Sequence, residues 1–578
     1  MELQMQGPLI IQSDGTILLD NRMPGSEQAA EVLAGFAELI KRPGDLHTYR
    51  ISPLSVWNAL SAGASGPQLM EWLAAFSRYE LPATVEADMQ RWIDRYGTLQ
   101  LVRQGDQLLL QGKADDTLLA AFDSAPLRDM LDSHEAAGGR WLVDAAQRGN
   151  LKQELMRIGY PVLDEAGYHE GEALQIGLRE QSRTGSPFAL RDYQEHAARL
   201  FGREGSGVMV LPCGAGKTIV GIAALAELGC AALILTSNTT SVSQWRRELL
   251  DKTTLGEADI GAYAGRQRQV RPVTVATYQM LTHRSAGQAD YPHMRLFRER
   301  DWGLIIYDEV HLLPAPVFRM TAGLQATRRL GLTATLVRED GCAEDVFSLI
   351  GPKRYELPWK TLEARGDLAE LACHEVRVPL CASQEVRYAQ AGARARLRIA
   401  SENPGKLPVL AELLRRHGET PKLVIGQYLD QLKTASGLVK APLITGQTPH
   451  EERERLYAAF KSGHVKTLIV SKVANFAVDL PDAAVAIQIS GSFGSRQEEA
   501  QRIGRILRPK TGDNRAWFYS IVTDETRETE FALRRQLFMV EQGYRYQLVR
   551  WPRPQALLDE QEQNRPHTGL GFRKGTGS

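Results

Sequence analysis

The stretch VMVLPCGAGKTIVGIAAL, Val208 to Leu225, constrains the fold of this chain more than any other. A short apolar run reads as a buried strand, a glycine-containing turn follows, and an apolar helical pattern leaves it. A strand that feeds a helix through a tight turn is half of a βαβ unit, so a parallel sheet covered by helices is expected. The turn also has its own chemistry. Gly214 and Gly216 let backbone N–H groups point inward, and the start of the helix directs its positive end to the same place. Pro212, Cys213, Gly214, Ala215, Gly216, Lys217 and Thr218 therefore read as a phosphate cradle. Lys217 would reach the β- and γ-phosphates, and the Thr218 hydroxyl can ligand Mg²⁺. The first glycine of the usual GxxxxGKT pattern is Leu211 here.

The rhythm around the cradle supports that class. Short apolar runs alternate with helical patterns in GVMVL, AALILTS, VTVATY, GLIIYD and RLGLTAT, and again in KLVIGQ, APLITG, KTLIVSK, AVAIQIS and AWFYSIV. That is the signature of buried parallel strands in two consecutive α/β domains, joined by a looser stretch from about 340 to 405. Ahead of them, PLIIQSDGTILLD and TLQLVRQGDQLLLQG read as hairpins, and ISPLSVWNALSAGASGPQLMEWLAAFSRY reads as helix, turn, helix broken at Ser65-Gly66-Pro67. The expected layout is an accessory domain over 1–105, a small domain over 106–180, α/β domains over 181–365 and 366–548, and a flexible tail over 549–578.

A second site candidate is LIIYDEVH. Asp308-Glu309 end an apolar strand, at the edge of an α/β sheet where ligands bind. Phosphoryl transfer needs two acids with different tasks, Asp308 in the Mg²⁺ shell and Glu309 on the attacking water. A zinc protease would need two histidines one helical turn apart, and His311 is single. A solvated acid pair is the remaining alternative, and Lys217, about ninety residues upstream, argues against it.

Composition excludes little. Basic and acidic residues balance at 69 each, so a nucleic-acid partner must be held by local patches. Five cysteines without CxxC spacing fit a reducing compartment, and the first residues lack a signal peptide, so a cytoplasmic protein is expected. The apolar stretch Thr218–Ser237 is nearly a membrane span by hydropathy, but Glu227 and Gly229 divide it into a buried helix and a buried strand; no membrane partner is expected.

Gly-Ala-Gly-Lys-Thr together with Asp-Glu-Val-His resembles the paired ATP motifs of superfamily 2 helicases. Further strings resemble the XPB (xeroderma pigmentosum group B) type, in its compact bacterial or archaeal form: LRDYQ, SVSQWRREL, GLTATLVREDG, GPKRYELPWKTLEARGDLA, VSKVANFAVDLPDA and QISGSFGSRQEEAQRIGRILRPK. The resemblance covers about residues 100 to 545. It implies two RecA-like domains with ATP and Mg²⁺ between them, and a damage-recognition-like role for 106–180. Gln194 would read the adenine edge, with Arg191 nearby. Arg505 and Arg508, three apart and so able to share a helix face, would be arginine fingers. Asp479 and Gln501 would couple nucleotide state to domain closure.

His311 would link the ATP site to Thr333-Ala334-Thr335, or pack as a plain core histidine. Gln244, Trp245, Thr277, Ser471 and Lys472 lie in the DNA-facing segments. Arg338-Glu339-Asp340 would help part the strands; from residues alone it is a charged loop. The implied activity is ATP-driven 3′–5′ DNA unwinding or translocation in repair or transcription. The alternatives are a duplex translocase that separates no strands, and an ATP-gated scaffold that recruits a partner nuclease.

Overall fold

The computed structural model describes residues 7–551, apart from 42–44, 114–115, 123–124, 133–138, 285–290, 326, 335–342, 472–482, 492–502, 505 and 511–513. The expected hairpins and helices ahead of the α/β domains form. Strands β1 (Leu9–Ile11), β2 (Thr16–Asp20), β3 (Glu38–Lys41) and β4 (Leu46–Arg50) make an antiparallel sheet in the order β1-β2-β4-β3. Helices Pro53–Ser61 and Gly66–Phe76 follow, each opened by a serine capping box at Ser52 and Ser65. A second sheet contains β5 (Leu99–Gln104), β6 (Gln107–Gly112), β7 (Leu131–Asp132), β8 (Arg140–Val143) and β9 (Val162–Asp164), in the order β7-β8-β6-β5-β9. β5 and β6 are one hairpin turning at Gly105-Asp106. A cut between 105 and 106 would split it, so this sheet starts at Leu99.

The first lobe is a seven-stranded parallel sheet. It contains β10 (Ser206–Val210), β11 (Ala232–Thr236), β12 (Ile260–Tyr263), β13 (Val273–Thr277), β14 (Leu304–Asp308), β15 (Arg328–Thr333) and β16 (Lys353–Glu356). The order is β12-β13-β11-β14-β15-β10-β16. β10, β11 and β13 are buried at every residue, which is why they read as continuous apolar runs. Each fully buried Val, Leu or Ile among them contributes about 1.5–3 kcal/mol. The apolar stretch after the cradle is the helix Lys217–Leu228, stopped by left-handed Gly229, and then β11. No described helix is long and apolar enough to cross a membrane.

The second lobe repeats the plan. β17 (Glu370–Val378), β18 (Lys422–Gly426), β19 (Leu443–Ile444), β20 (Thr467–Ser471), β21 (Val485–Gln488), β22 (Arg515–Thr523) and β23 (Tyr546–Arg550) run in the order β19-β20-β18-β21-β22-β17-β23. Two differences from the sequence reading appear here. β17 lies inside the expected loose stretch, and it is a full strand paired with β22 and β23. β23 runs through Arg550, so the sheet takes in two residues expected in the tail. Residues 552–578 of that tail lie outside the described residues.

Four buried side chains, Leu357, Trp359, Leu362 and Leu368, connect the lobes through one continuous core. The first antiparallel sheet leans on both lobes. Leu537 of the helix Arg527–Glu541 enters its core, Arg545 pairs with Glu27 at 2.5 Å, and Asn58 Oδ1 accepts the Lys353 N–H at 3.0 Å. The second small sheet docks on the first lobe: a Cβ on Gly149 would strike the Ala322 backbone, and the Tyr168 hydroxyl bonds Ser206 Oγ at 2.7 Å.

Candidate active site

The site assembles where the first lobe's strands end. β10 runs into Leu211, whose N–H bonds the Thr333 carbonyl at 2.9 Å and carries the sheet one residue further. The chain then turns through Gly214 (φ 86°) and Gly216 (φ 80°) into the helix that Lys217 begins. Both glycines sit in the left-handed region that other residues rarely adopt. Space demands glycine too: a Cβ on Gly216 would lie 2.5 Å from Gln194 Nε2. The helix Asp192–Glu204 braces the turn from behind. Gln194 Nε2 donates to the Ala215 carbonyl at 2.9 Å, and the Tyr193 hydroxyl donates to the same oxygen at 2.8 Å. Gln194 Oε1 accepts the Arg191 N–H at 3.0 Å. The Arg191 guanidinium reaches the Tyr193 hydroxyl at 3.0 Å, and its Nε lies 3.5 Å from Asp367 Oδ1 in the segment between the lobes. Gln194 is thus a brace of the cradle.

Lys217 Nζ lies 3.7 Å from Glu309 Oε1 and 3.9 Å from Cys213 Sγ. Burial acts to lower this ammonium, but Cys213, Glu309 and Asp308 outweigh it and hold it above the ordinary lysine range. Asp308 ends β14 and is half-buried. Burial and the neighbouring Glu309 push its carboxyl up to about 6, while the Trp245 N–H and Lys217 act the other way.

Glu309 holds φ 51°, a left-handed conformation that costs a non-glycine residue about 1–3 kcal/mol. Such strain persists only where surrounding structure enforces it. Glu309 Oε2 is buried and lacks a hydrogen-bond partner among the described residues, with His311 Nδ1 3.5 Å away. His311 is buried, and its Nδ1 lies 2.8 Å from Thr333 Oγ1 at the end of β15. It therefore connects the acid pair to the end of β15.

The second lobe touches the cradle directly. A Cβ on Gly504 would strike Cys213, and one on Gly214 would come within 4.0 Å of Arg508 Cγ. Ile503 and Ile506 form a turn through the Ile506 N–H to the Ile503 carbonyl, and Leu507 accepts the Ala369 N–H at 2.9 Å. Arg508 lies beyond that turn, against the cradle. Arg505, Gln501, Asp479, Lys472, Arg338, Glu339, Asp340 and Thr335 lie outside the described residues.

Trp245 departs from expectation. A DNA-facing role requires an accessible ring, whereas Trp245 is 1% exposed. Its Nε1–H donates to Asp308 Oδ2 at 2.9 Å, and the indole fits because Gly221 lacks a Cβ, which would lie 2.6 Å from Cη2. Gln244 beside it is half-buried. Thr277 caps the short helix Tyr278–Leu281, accepting the Met280 N–H at 3.2 Å. Ala334 is buried, and Ser471 Oγ is buried without a hydrogen-bond partner among the described residues. Two tyrosines escaped the sequence reading. Tyr193 braces the cradle, and the Tyr278 hydroxyl donates to the Asp308 carbonyl at 3.0 Å. Their adjacency to Gln194 and Thr277 was the available signal; their apolar surroundings read as core.

The residues fit a nucleotide with its magnesium ion. The turn runs through two left-handed glycines, a lysine and a threonine open the helix that follows, and a half-buried acid pair faces the lysine. A parallel-sheet lobe with this cradle and acid pair, packed on a second lobe of the same strand order, defines a superfamily 2 helicase motor.

Family models agree with this class. Residues 362–565 match the ERCC3/RAD25/XPB C-terminal helicase, residues 187–338 the res subunit of type III restriction enzymes, and residues 9–135 a helicase conserved C-terminal domain. The chain is 50% identical to a protein of Kineococcus radiotolerans named DNA 3'-5' helicase XPB, covering 94% of this chain and 96% of that one. It is also 50% identical to the protein of that name from Mycobacterium tuberculosis, over 93% and 97%. It is 32% identical, over 94% and 82%, to the general transcription and DNA repair factor IIH helicase/translocase subunit XPB of Encephalitozoon cuniculi. The chain belongs to the XPB family of helicases.

Proposed function

We propose that this chain is an ATP-driven 3′–5′ DNA helicase/translocase that opens DNA in repair or in transcription. The observation that carries the reading is the juxtaposition of Lys217 with Asp308-Glu309 under a second lobe already seated on the cradle, in a chain half identical to DNA 3'-5' helicases. Lys217 would hold the β- and γ-phosphates. Thr218 and Asp308 would hold Mg²⁺, which when bound neutralises phosphate charge. Glu309 would orient the attacking water and take its proton, with its unmatched Oε2 aimed by the strained backbone. Arg508, with Arg505, would meet the γ-phosphate from across the cleft. Gln194 and Arg191 would border the adenine, and Asp479 and Gln501 would sense closure.

DNA would run along the strand ends beyond Asn238, Thr277 and Ser471, held through hydroxyls, helix starts and Lys472. Arg338-Glu339-Asp340 would stand where the strands part. With DNA as substrate the protein would work in the cytoplasm, at the nucleoid, and a nuclease from a separate chain would be its partner if it served as an ATP-gated scaffold.

The test is ATP turnover measured with single-stranded, duplex and forked DNA and with RNA. DNA should stimulate turnover, and Lys217→Ala or Glu309→Gln should each abolish it, since one lost electrostatic contact alone accounts for about 10²–10³ in rate. Wild-type-like turnover in either variant overturns the catalytic assignment.

A further inference from the structure

Asp308 is held at two points, and both holds come from segments next to the proposed DNA path. Its Oδ2 accepts the Trp245 indole N–H at 2.9 Å, and its backbone carbonyl accepts the Tyr278 hydroxyl at 3.0 Å. Trp245 lies on the helix Thr239–Lys252, which Asn238 caps by accepting the Ser241 N–H at 2.9 Å. Tyr278 directly follows Thr277, the cap at the end of β13. We propose that Trp245 and Tyr278 are positioning residues that transmit engagement of the Asn238 and Thr277 loops to Asp308 and Glu309, so that bound DNA sets the rate of ATP hydrolysis. This rests on the DNA-motor reading above and adds its wiring.

The geometry gives each residue a separate task. The Asp308 carbonyl belongs to the peptide that joins Asp308 to Glu309. Rotating that peptide changes the Glu309 φ, which stands at 51°. The Tyr278 hydroxyl therefore holds the general base in its strained orientation through the backbone. Trp245 acts on the carboxylate instead. Its ring is packed over Gly221 in the helix that begins with Lys217, so it cannot shift without moving against the cradle helix. A helix moves as a rod, so displacement at Asn238, two turns from the indole, reaches Oδ2. Both donors end on one residue, and neither reaches solvent: Trp245 is 1% and Tyr278 4% exposed. An internal path from loop to acid is what a relay requires.

The experiment compares wild type, Trp245→Phe and Tyr278→Phe as full chains. Steady-state ATP turnover is measured without DNA and with saturating single-stranded DNA, and affinity for a fluorescent oligonucleotide is measured by anisotropy. The ratio of stimulated to DNA-free turnover should fall about three- to tenfold in either variant, the scale of one hydrogen bond, with oligonucleotide affinity within about twofold. Tyr278→Phe removes a single hydroxyl and preserves the packing, so it reads the relay even where the indole substitution disturbs the fold. Equal falls in both rates, leaving the ratio unchanged, overturn the proposal: the two residues then hold the site and carry no signal. Wild-type ratios in both variants overturn it as well. A wild type that DNA fails to stimulate overturns the DNA-motor reading itself and takes the relay with it.

Discussion

Each lobe places a lysine against a glutamate, and the two pairs are built for different ends. In the first lobe Lys217 stands 3.7 Å from Glu309, too far for a hydrogen bond, with one Glu309 oxygen left unmatched. In the second, Lys406 Nζ lies 2.7 Å from both oxygens of Glu528 and 3.0 Å from the Ile489 carbonyl, and both side chains are almost wholly excluded from solvent. The strand that feeds each loop differs likewise. β10 and β17 occupy the same place in the two strand orders. After β10 the chain opens a glycine cradle. After β17 the space is taken by Asn403, which donates to the Pro379 carbonyl at 2.9 Å and accepts the Cys381 thiol. One fold has made a glycine turn with a loose lysine–glutamate pair in one copy and a closed polar core in the other.

That contrast breaks first at Lys406. Removing one member of a buried pair strands the other charge, which costs about 3–5 kcal/mol. Lys406→Ala should lower the denaturation midpoint by that amount, and Lys406→Met with Glu528→Leu should recover most of it. If Lys406→Ala is neutral, the second lobe's pair is not structural and the contrast fails. Lys217→Ala should abolish turnover and move the denaturation midpoint by less than Lys406→Ala does, because its pair is wider, at 3.7 Å, and less buried.

Asp308 sharpens the first lobe's side. Its folded carboxyl titrates near 6, above its ordinary value of 3.8, chiefly through burial and the Glu309 charge. Below about pH 4 it is protonated in both states and carries no penalty. Between about pH 4 and pH 6 the unfolded chain ionises while the folded carboxyl stays protonated, so folded stability falls and the loss is complete once pH has risen through 6. Without nucleotide or divalent ions, Asp308→Asn should therefore exceed wild type by about 1–3 kcal/mol at pH 7, with the gap closing toward pH 4. A gap that is the same at both values removes the assignment.

The first lobe's side of this contrast was legible in the residues; the Lys406–Glu528 pair was not. The Lys217 cradle and the Asp308-Glu309 pair stood out because glycine spacing and an acid-ended apolar run are local patterns, and so did the strands of both lobes that are uniformly apolar. β17 did not, although five of its nine residues are buried. Its sequence ELACHEVRV carries Glu375, which is 2% exposed and matched by Arg377 at 2.7 Å and by Gln536, so tertiary partners conceal a charge that reads as surface. Trp245 is DNA-facing only by the resemblance of SVSQWRREL to a DNA-facing motif, while its own side chain turns in to Asp308. Which face a side chain takes depends on contacts far along the chain, and Trp245 and Asp308 are 63 residues apart.

The smallest effect tests whether backbone strain in the first lobe has a purpose. Lys440 shows the same φ of 51° as Glu309 but lies in the second lobe, closing the helix Leu429–Val439 in the left-handed region where glycine is favoured. Strain there costs about 1–2 kcal/mol, and glycine returns about 0.4–1 kcal/mol of that through the freer unfolded chain. Lys440→Gly should therefore stabilise the protein by about 0.5–1 kcal/mol, read as a shift of the denaturation midpoint, with ATP turnover unchanged. Glu309→Gly releases similar strain, and its gain in stability should come with complete loss of turnover. If Lys440→Gly slows hydrolysis as well, left-handed strain does not separate the working lobe from the supporting one, and the Glu309 conformation loses its claim to aim the base.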